Sequence, residues 1–117
     1  MFFCAQVLSA VHCFLGFQNN TIEELRQVVK VELGIHDQSK HESTSQLKSI
    51  KNMTVNPNFG ANKEFVGDMV LIELETPVII NRRVNLPCLP EKEEYPAIGQ
   101  HCVVAGMILK KHLLKGF

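Results

Sequence analysis

Apolar residues in this chain come in short bursts, several of them alternating with polar ones, and almost nowhere recur with a helical period. QVLSAV, residues 6–11, is an apolar run with small residues and predicts a buried strand. VVKVELG, residues 28–34, puts Val29, Val31 and Leu33 on one parity and predicts a strand closed by Gly34. QLKSIKNMTV, residues 46–55, is β-leaning with imperfect alternation. DMVLIELETPV, residues 68–78, is the most apolar strand candidate, with Met69, Leu71 and Leu74 expected to point inward. QHCVVAGMI, residues 100–108, predicts a further strand. Between them lie a polar loop at 36–45, a Pro/Gly/Asn-rich turn at 56–65 and an irregular stretch holding three prolines at 80–99. One helical signal interrupts this pattern. In TIEE, Thr21 stands at an N-cap position with Glu24 three residues on, predicting a short helical turn. Four or five strands separated by turn chemistry predict an all-β domain.

Composition narrows the partners. The 117 residues are enough for one domain, and 45% apolar with 21% charged is a globular balance. Twelve basic residues balance twelve acidic ones, so the chain has no electrostatic footprint for nucleic acid or an anionic membrane surface. No apolar run reaches the roughly 18 residues that cross a bilayer. The four cysteines (Cys4, Cys13, Cys88 and Cys102) form no CxxC pair and no zinc-ligand spacing. Together with two N-glycosylation sequons, Asn19-Asn20-Thr21 and Asn52-Met53-Thr54, they favour a secreted, extracellular chain. MFFCAQVLSAVHC has the apolar length of a secretion signal. Against that reading, no lysine or arginine precedes Arg26, and Gln6 and His12 break the run.

Two residues stand out as candidate chemistry. His12 ends the first apolar run, and it is either a satisfied core histidine or an acid–base group. Asp68 opens the most apolar strand, where it either caps the strand toward solvent or is held inward to orient another group, since an unpaired buried carboxylate is costly. His36, His41, His101 and His112 read as surface or structural. His36 and His41, five apart on a polar loop, are the only close pair, and no metal site is expected.

Taken in order, six stretches carry a resemblance. VLSAVHCF resembles the active-site histidine motif of the trypsin/chymotrypsin-like serine proteases (peptidase S1), (V/I)-(L/V)-(S/T)-A-A-H-C, with Val11 for one alanine. VKVELGIHD is similar to the family's VRLGEHD, LKSIKNMTVNPNF to its strand ending in HPNF, and GDMVLIELETPV to its aspartate motif. VNLPCLP resembles its crossover between barrels, and GQHCVVAGM the strand after it. The resemblance implies a partial trypsin-like domain over 1–117, matching from about residue 5 to 107 with 108–117 as a divergent tail. Its fold would be most of the N-terminal Greek-key β-barrel of a two-barrel structure, truncated at both ends. It implies His12 as general base and Asp68 as its orienting carboxylate in peptide-bond hydrolysis by a Ser-His-Asp triad. Cys13, Cys88 and Cys102 match half-cystines of the family, whose partners would lie outside the chain or in the second barrel.

Several family features have no counterpart. The nucleophile motif G-D-S-G-G is absent, and with it the oxyanion hole and specificity pocket, so the chain as given is expected to be inactive. Ile35 stands where calcium-binding members carry a glutamate, so no calcium and no other cofactor is implied. The expected partners are polypeptide substrates or protease inhibitors of the full-length protein, and the missing C-terminal barrel. The alternative is a truncated, non-catalytic isoform acting as a binding protein.

Overall fold

The computed structural model describes residues 5–17, 19–40, 42–60, 66–92 and 95–106. His41, His112, Cys4 and the tail at 108–117 lie outside the described residues. Residues 1–86 and 87–117 form two compact units.

The first unit is a curled, partial β-barrel of four antiparallel strands, β1 (Gln6–Ser9), β2 (Lys30–Leu33), β3 (Gln46–Val55) and β4 (Val70–Leu74). They are ordered β1-β4-β3-β2. Three strands consecutive in sequence lie side by side, and β1 sits beside the last of them, a Greek-key connection. Between β1 and β2 the chain forms a 3₁₀-helix, η1 (Val11–Phe17), and a two-turn helix, α1 (Ile22–Val28).

Local chemistry accounts for these elements. The capping box forms as expected: the Glu24 amide donates to Thr21 Oγ1 (3.3 Å) and the Thr21 amide to Glu24 Oε2 (2.8 Å). In β2, Val31 and Leu33 are half-buried while Lys30 and Glu32 are exposed, as the alternation predicts. The imperfect alternation of β3 has a structural cause. A register shift between Ile50 and Asn52 against β4 inserts an extra residue, and side chains beyond it change face. Gly34 ends β2 at φ +77, where a Cβ would stand 3.0 Å from the buried Val84.

Ile50, Ile72 and Leu74 form the core, with Val7, Phe14, Ile22, Val29, Val31 and Met53 packed against it. Here the expected inward parity of β4 is corrected. Val70, Ile72 and Leu74 point inward, whereas Met69 and Leu71 are exposed. Leu74 lies on the expected inner face, while Met69 and Leu71 lie on the outer one. A continuous apolar run, VLI, does not encode a parity, because both of its faces are apolar. Leu71 pairs across the ladder with Leu8 of β1, which is also exposed, so the sheet carries a second apolar row on its outer face.

In the second unit the strand expected at 100–108 does not form over residues 100–106, and Val103 and Val104 are 95% and 96% exposed. A strand needs a partner for its backbone groups, and no other strand lies among the described residues of that unit.

The two faces of β4 give a direct test. Ile72→Ala should cost about 2–5 kcal/mol in urea unfolding of the chain. Leu71→Ala, one residue away, should cost no more than about 1 kcal/mol. Equal losses would contradict the assigned parity.

Candidate active site

The site follows from strand register. β1 and β4 run antiparallel with Ser9 opposite Val70, so the C-terminal end of β1 lies beside the start of β4. His12 is three residues past Ser9 and Asp68 two before Val70, so the register brings together side chains 56 residues apart. Buried Val11 (7% exposed) anchors the start of η1, and its first turn is closed by the Cys13 amide donating to the Ala10 carbonyl (3.3 Å). That tight turn carries His12 off the strand end and toward Asp68.

The two residues meet twice. The His12 amide donates to Asp68 Oδ1 at 2.9 Å, and His12 Nδ1 lies 2.5 Å from Oδ2. An ionised carboxylate only accepts, so Nδ1 is the donor and the imidazole is fixed in one orientation. The Asp68 side chain is 17% exposed and that of His12 54%, which leaves the ring accessible from solvent. Asp68 is therefore neither a solvent-facing cap nor an unpaired charge. His12 is not a core histidine. On the other side of the ring, Cys13 Sγ lies 3.7 Å from Nε2.

The Asp68 carboxyl is held below its ordinary value of 3.8. The main cause is the hydrogen bond from the His12 side chain, opposed by partial burial. The His12 amide, electrostatic attraction to the imidazole and the Val11 amide lower it further.

Sequence reading missed the residue that sets the carboxylate's position. Gly67 adopts φ +69, and a Cβ there would stand 2.9 Å from Asn56 Nδ2. Asn56 is itself committed, donating its amide to the Met69 carbonyl (3.0 Å) and accepting from the Asn58 amide at Oδ1 (3.0 Å). The signal was available, a glycine directly before a strand-opening aspartate in GDMVLIEL. The other candidates do not join the site. His36 lies on the 36–45 loop, where its amide donates to Glu42 Oε1 (2.9 Å). Glu42 also accepts from the Asp37 amide (3.0 Å) and pairs with Arg83. Cys13, Cys88 and Cys102 are free and exposed. Asn19 and Asn52 are exposed, the first in a turn and the second on β3. Among the described residues no group of three or more His, Cys, Asp or Glu side chains is arranged to hold a metal. Among the same residues no helix is long and apolar enough to cross a membrane.

Two expectations follow. Gly67→Ala forces a non-glycine residue to positive φ and crowds Asn56, so unfolding should be easier by about 1–2 kcal/mol. An unchanged urea midpoint would show that the turn tolerates a side chain. For Asp68, the folded value lies below the unfolded one, so the unfolded chain binds more protons in that range. The pair's contribution is complete above the ordinary carboxylate value and is lost as pH falls through the lowered one. Asp68→Asn should flatten that acid limb of stability against pH, and an unaltered limb would contradict the assignment.

Both residues fall inside the span over which the chain matches the family model for trypsin, residues 3–113. The chain is 33% identical over 112 residues to serine protease 7 of Drosophila melanogaster, covering 86% of this chain and 28% of that protein. It is 30% identical over 106 residues to human kallikrein-15, covering 91% of this chain and 36% of the relative. With rat chymotrypsin-like elastase family member 1 it shares 27% identity over 101 residues, covering 86% and 35%. The chain thus spans roughly a third of the length of these relatives, and it belongs to the trypsin family of serine proteases.

Proposed function

We propose that this chain is the base-bearing part of a secreted trypsin-like serine endopeptidase, with His12 as general base and Asp68 as the carboxylate that orients it. The observation that carries this reading is the 2.5 Å contact between His12 Nδ1 and Asp68 Oδ2, at the junction of β1 and β4. With Nδ1–H committed to the carboxylate, Nε2 is the ring atom that can accept a proton. A base in this position takes the proton of a serine hydroxyl as it attacks a peptide carbonyl, then returns it to the leaving amine. The carboxylate keeps the tautomer and stabilises the imidazolium that forms. The covalent acyl-enzyme is then hydrolysed by water with the same histidine as base.

The nucleophile is not among the 117 residues, since no G-D-S-G-G stretch occurs. Activity therefore belongs to a longer protein, in which a C-terminal barrel supplies the serine, the oxyanion hole and the specificity pocket. The relatives' greater length supports this, and so does the outer row of exposed Leu8 and Leu71 on the sheet. Strands that read as continuous apolar runs are those covered on both faces. Polypeptides are the substrates, and protein inhibitors of the same shape would compete with them. Secretion accords with the kinship and with the exposed sequon residues Asn19 and Asn52, which would carry glycans along that route.

Two measurements test this reading. The purified 117-residue chain should hydrolyse no peptide amide above background. Turnover abolished by His12→Ala would overturn that expectation. Sequencing the transcript should reveal a downstream G-D-S-G-G in frame with residues 1–106. A transcript that always stops after Phe117, with secreted peptides ending in HLLKGF, would replace the enzyme reading by that of a non-catalytic binding protein.

A further inference from the structure

We propose that Asn56 is a positioning residue for the His12–Asp68 pair: the turn it builds locks the backbone around Asp68 and so aims the carboxylate at His12. The inference deepens the reading of His12 as an oriented base and rests on it.

Asp68 lies just before β4, in a structure of its own. The Met69 amide donates to the Gly67 carbonyl at 2.6 Å, which makes Asp68 the central residue of a three-residue γ-turn. Such a turn fixes both backbone dihedrals of its central residue, and these set the direction of the Cα–Cβ bond. An error there would move both carboxylate oxygens together. Both are in use, Oδ1 by the His12 amide and Oδ2 by the ring Nδ1–H.

Asn56 holds this turn from both sides. One step past the last β3–β4 pair, Val55 opposite Val70, the Asn56 amide donates to the Met69 carbonyl (3.0 Å). That bond ties down the side of the turn leading into β4. On the other side, a Cβ at Gly67 would stand 2.9 Å from Asn56 Nδ2 and 3.3 Å from its Cγ, so the side-chain amide fills the room the glycine leaves. Asn56 is fixed in its place by a second turn. Its Oδ1 accepts from the Asn58 amide (3.0 Å), and its carbonyl accepts from the Phe59 amide (3.0 Å), closing a β-turn with Pro57 at the position that favours proline. The side chain therefore cannot swing off Gly67 without losing its bond to Asn58. Two turns interlock at this end of the strand pair, one stiffened by Pro57 and the other carrying the carboxylate. Asn56 acts on the site only through Gly67 and Met69.

The test uses the full ¹⁵N-labelled chain and three substitutions. Asn56→Asp keeps the size and the side-chain acceptor of the turn, Asn56→Ser supplies a shorter and weaker acceptor, and Asn56→Ala supplies none. Two signals are read near neutral pH: the Nδ1–H resonance of the His12 ring, and hydrogen exchange of the His12 backbone amide. The resonance should be kept in Asn56→Asp, weakened in Asn56→Ser and lost in Asn56→Ala. In Asn56→Ala the His12 amide should exchange about tenfold faster relative to the amide of Ile72, since the opening is local to the site rather than global. A resonance that survives in Asn56→Ala, or equal quickening of both amides, would make Asn56 a structural residue only and overturn the proposal. Should Asn56→Ala fail to fold, the other two variants decide, and an identical resonance and amide ratio in both would overturn it. Absence of the resonance from the unaltered chain would instead remove the His12–Asp68 pairing itself, and this inference with it.

Discussion

The antiparallel register of β1 against β4 is the constraint on which the site depends. Ser9 opposite Val70 fixes where both strands end, and the chain leaves each strand in a tight structure, η1 on one side and the Gly67 turn on the other. A slip of one residue would turn Val70, Ile72 and Leu74 out of the core, so core packing and site geometry are secured by the same pairing. The burial of Ile72 and Leu74 against Ile50 thus does double service. It stabilises the sheet, and it holds a solvent-accessible imidazole against a mostly covered carboxylate. The hydrogen bonds between His12 and Asp68 are added to a geometry that the sheet has already set.

How much of this was legible in the sequence depended on whether the information was local. The capping box of α1, the alternation of β2 and the extent of β3 were readable because propensity and periodicity act over a few residues. The facing of β4 was not, because Met69 and Leu71 are as apolar as Val70 and Ile72. The bulge at Ile50–Asn52 showed only as a blurred alternation, and its meaning required the β4 partner. The segment at 100–106 carried strand-forming residues without a strand to pair with, which no reading of that segment alone could supply. For the site, bare sequence physics left both His12 and Asp68 open between structural and chemical roles. Their pairing came from the family resemblance and is visible in the contacts. Gly67 is inconspicuous in the sequence because a single glycine before a strand is common, and its positive φ is a property of the turn.

The chain combines a finished half-site with an unfinished surface. His12 and Asp68 are joined by two hydrogen bonds, one from the His12 amide and one from its ring. By contrast, Leu8, Met69 and Leu71 present apolar area that a sheet sandwiched in a larger protein would cover. On the proposed reading, the rest of a longer protein would bring a serine to the imidazole.

The account stands or falls on the state of the His12 ring. Nitrogen-detected NMR of the chain with ¹⁵N-labelled histidine, near neutral pH, reads the protonation of Nδ1 and Nε2 separately. The predicted result is a proton on Nδ1 with a strongly deshielded Nδ1–H resonance, lost on Asp68→Asn while the fold persists. A ring protonated on Nε2 alone, with the same spectrum in Asp68→Asn, would contradict it.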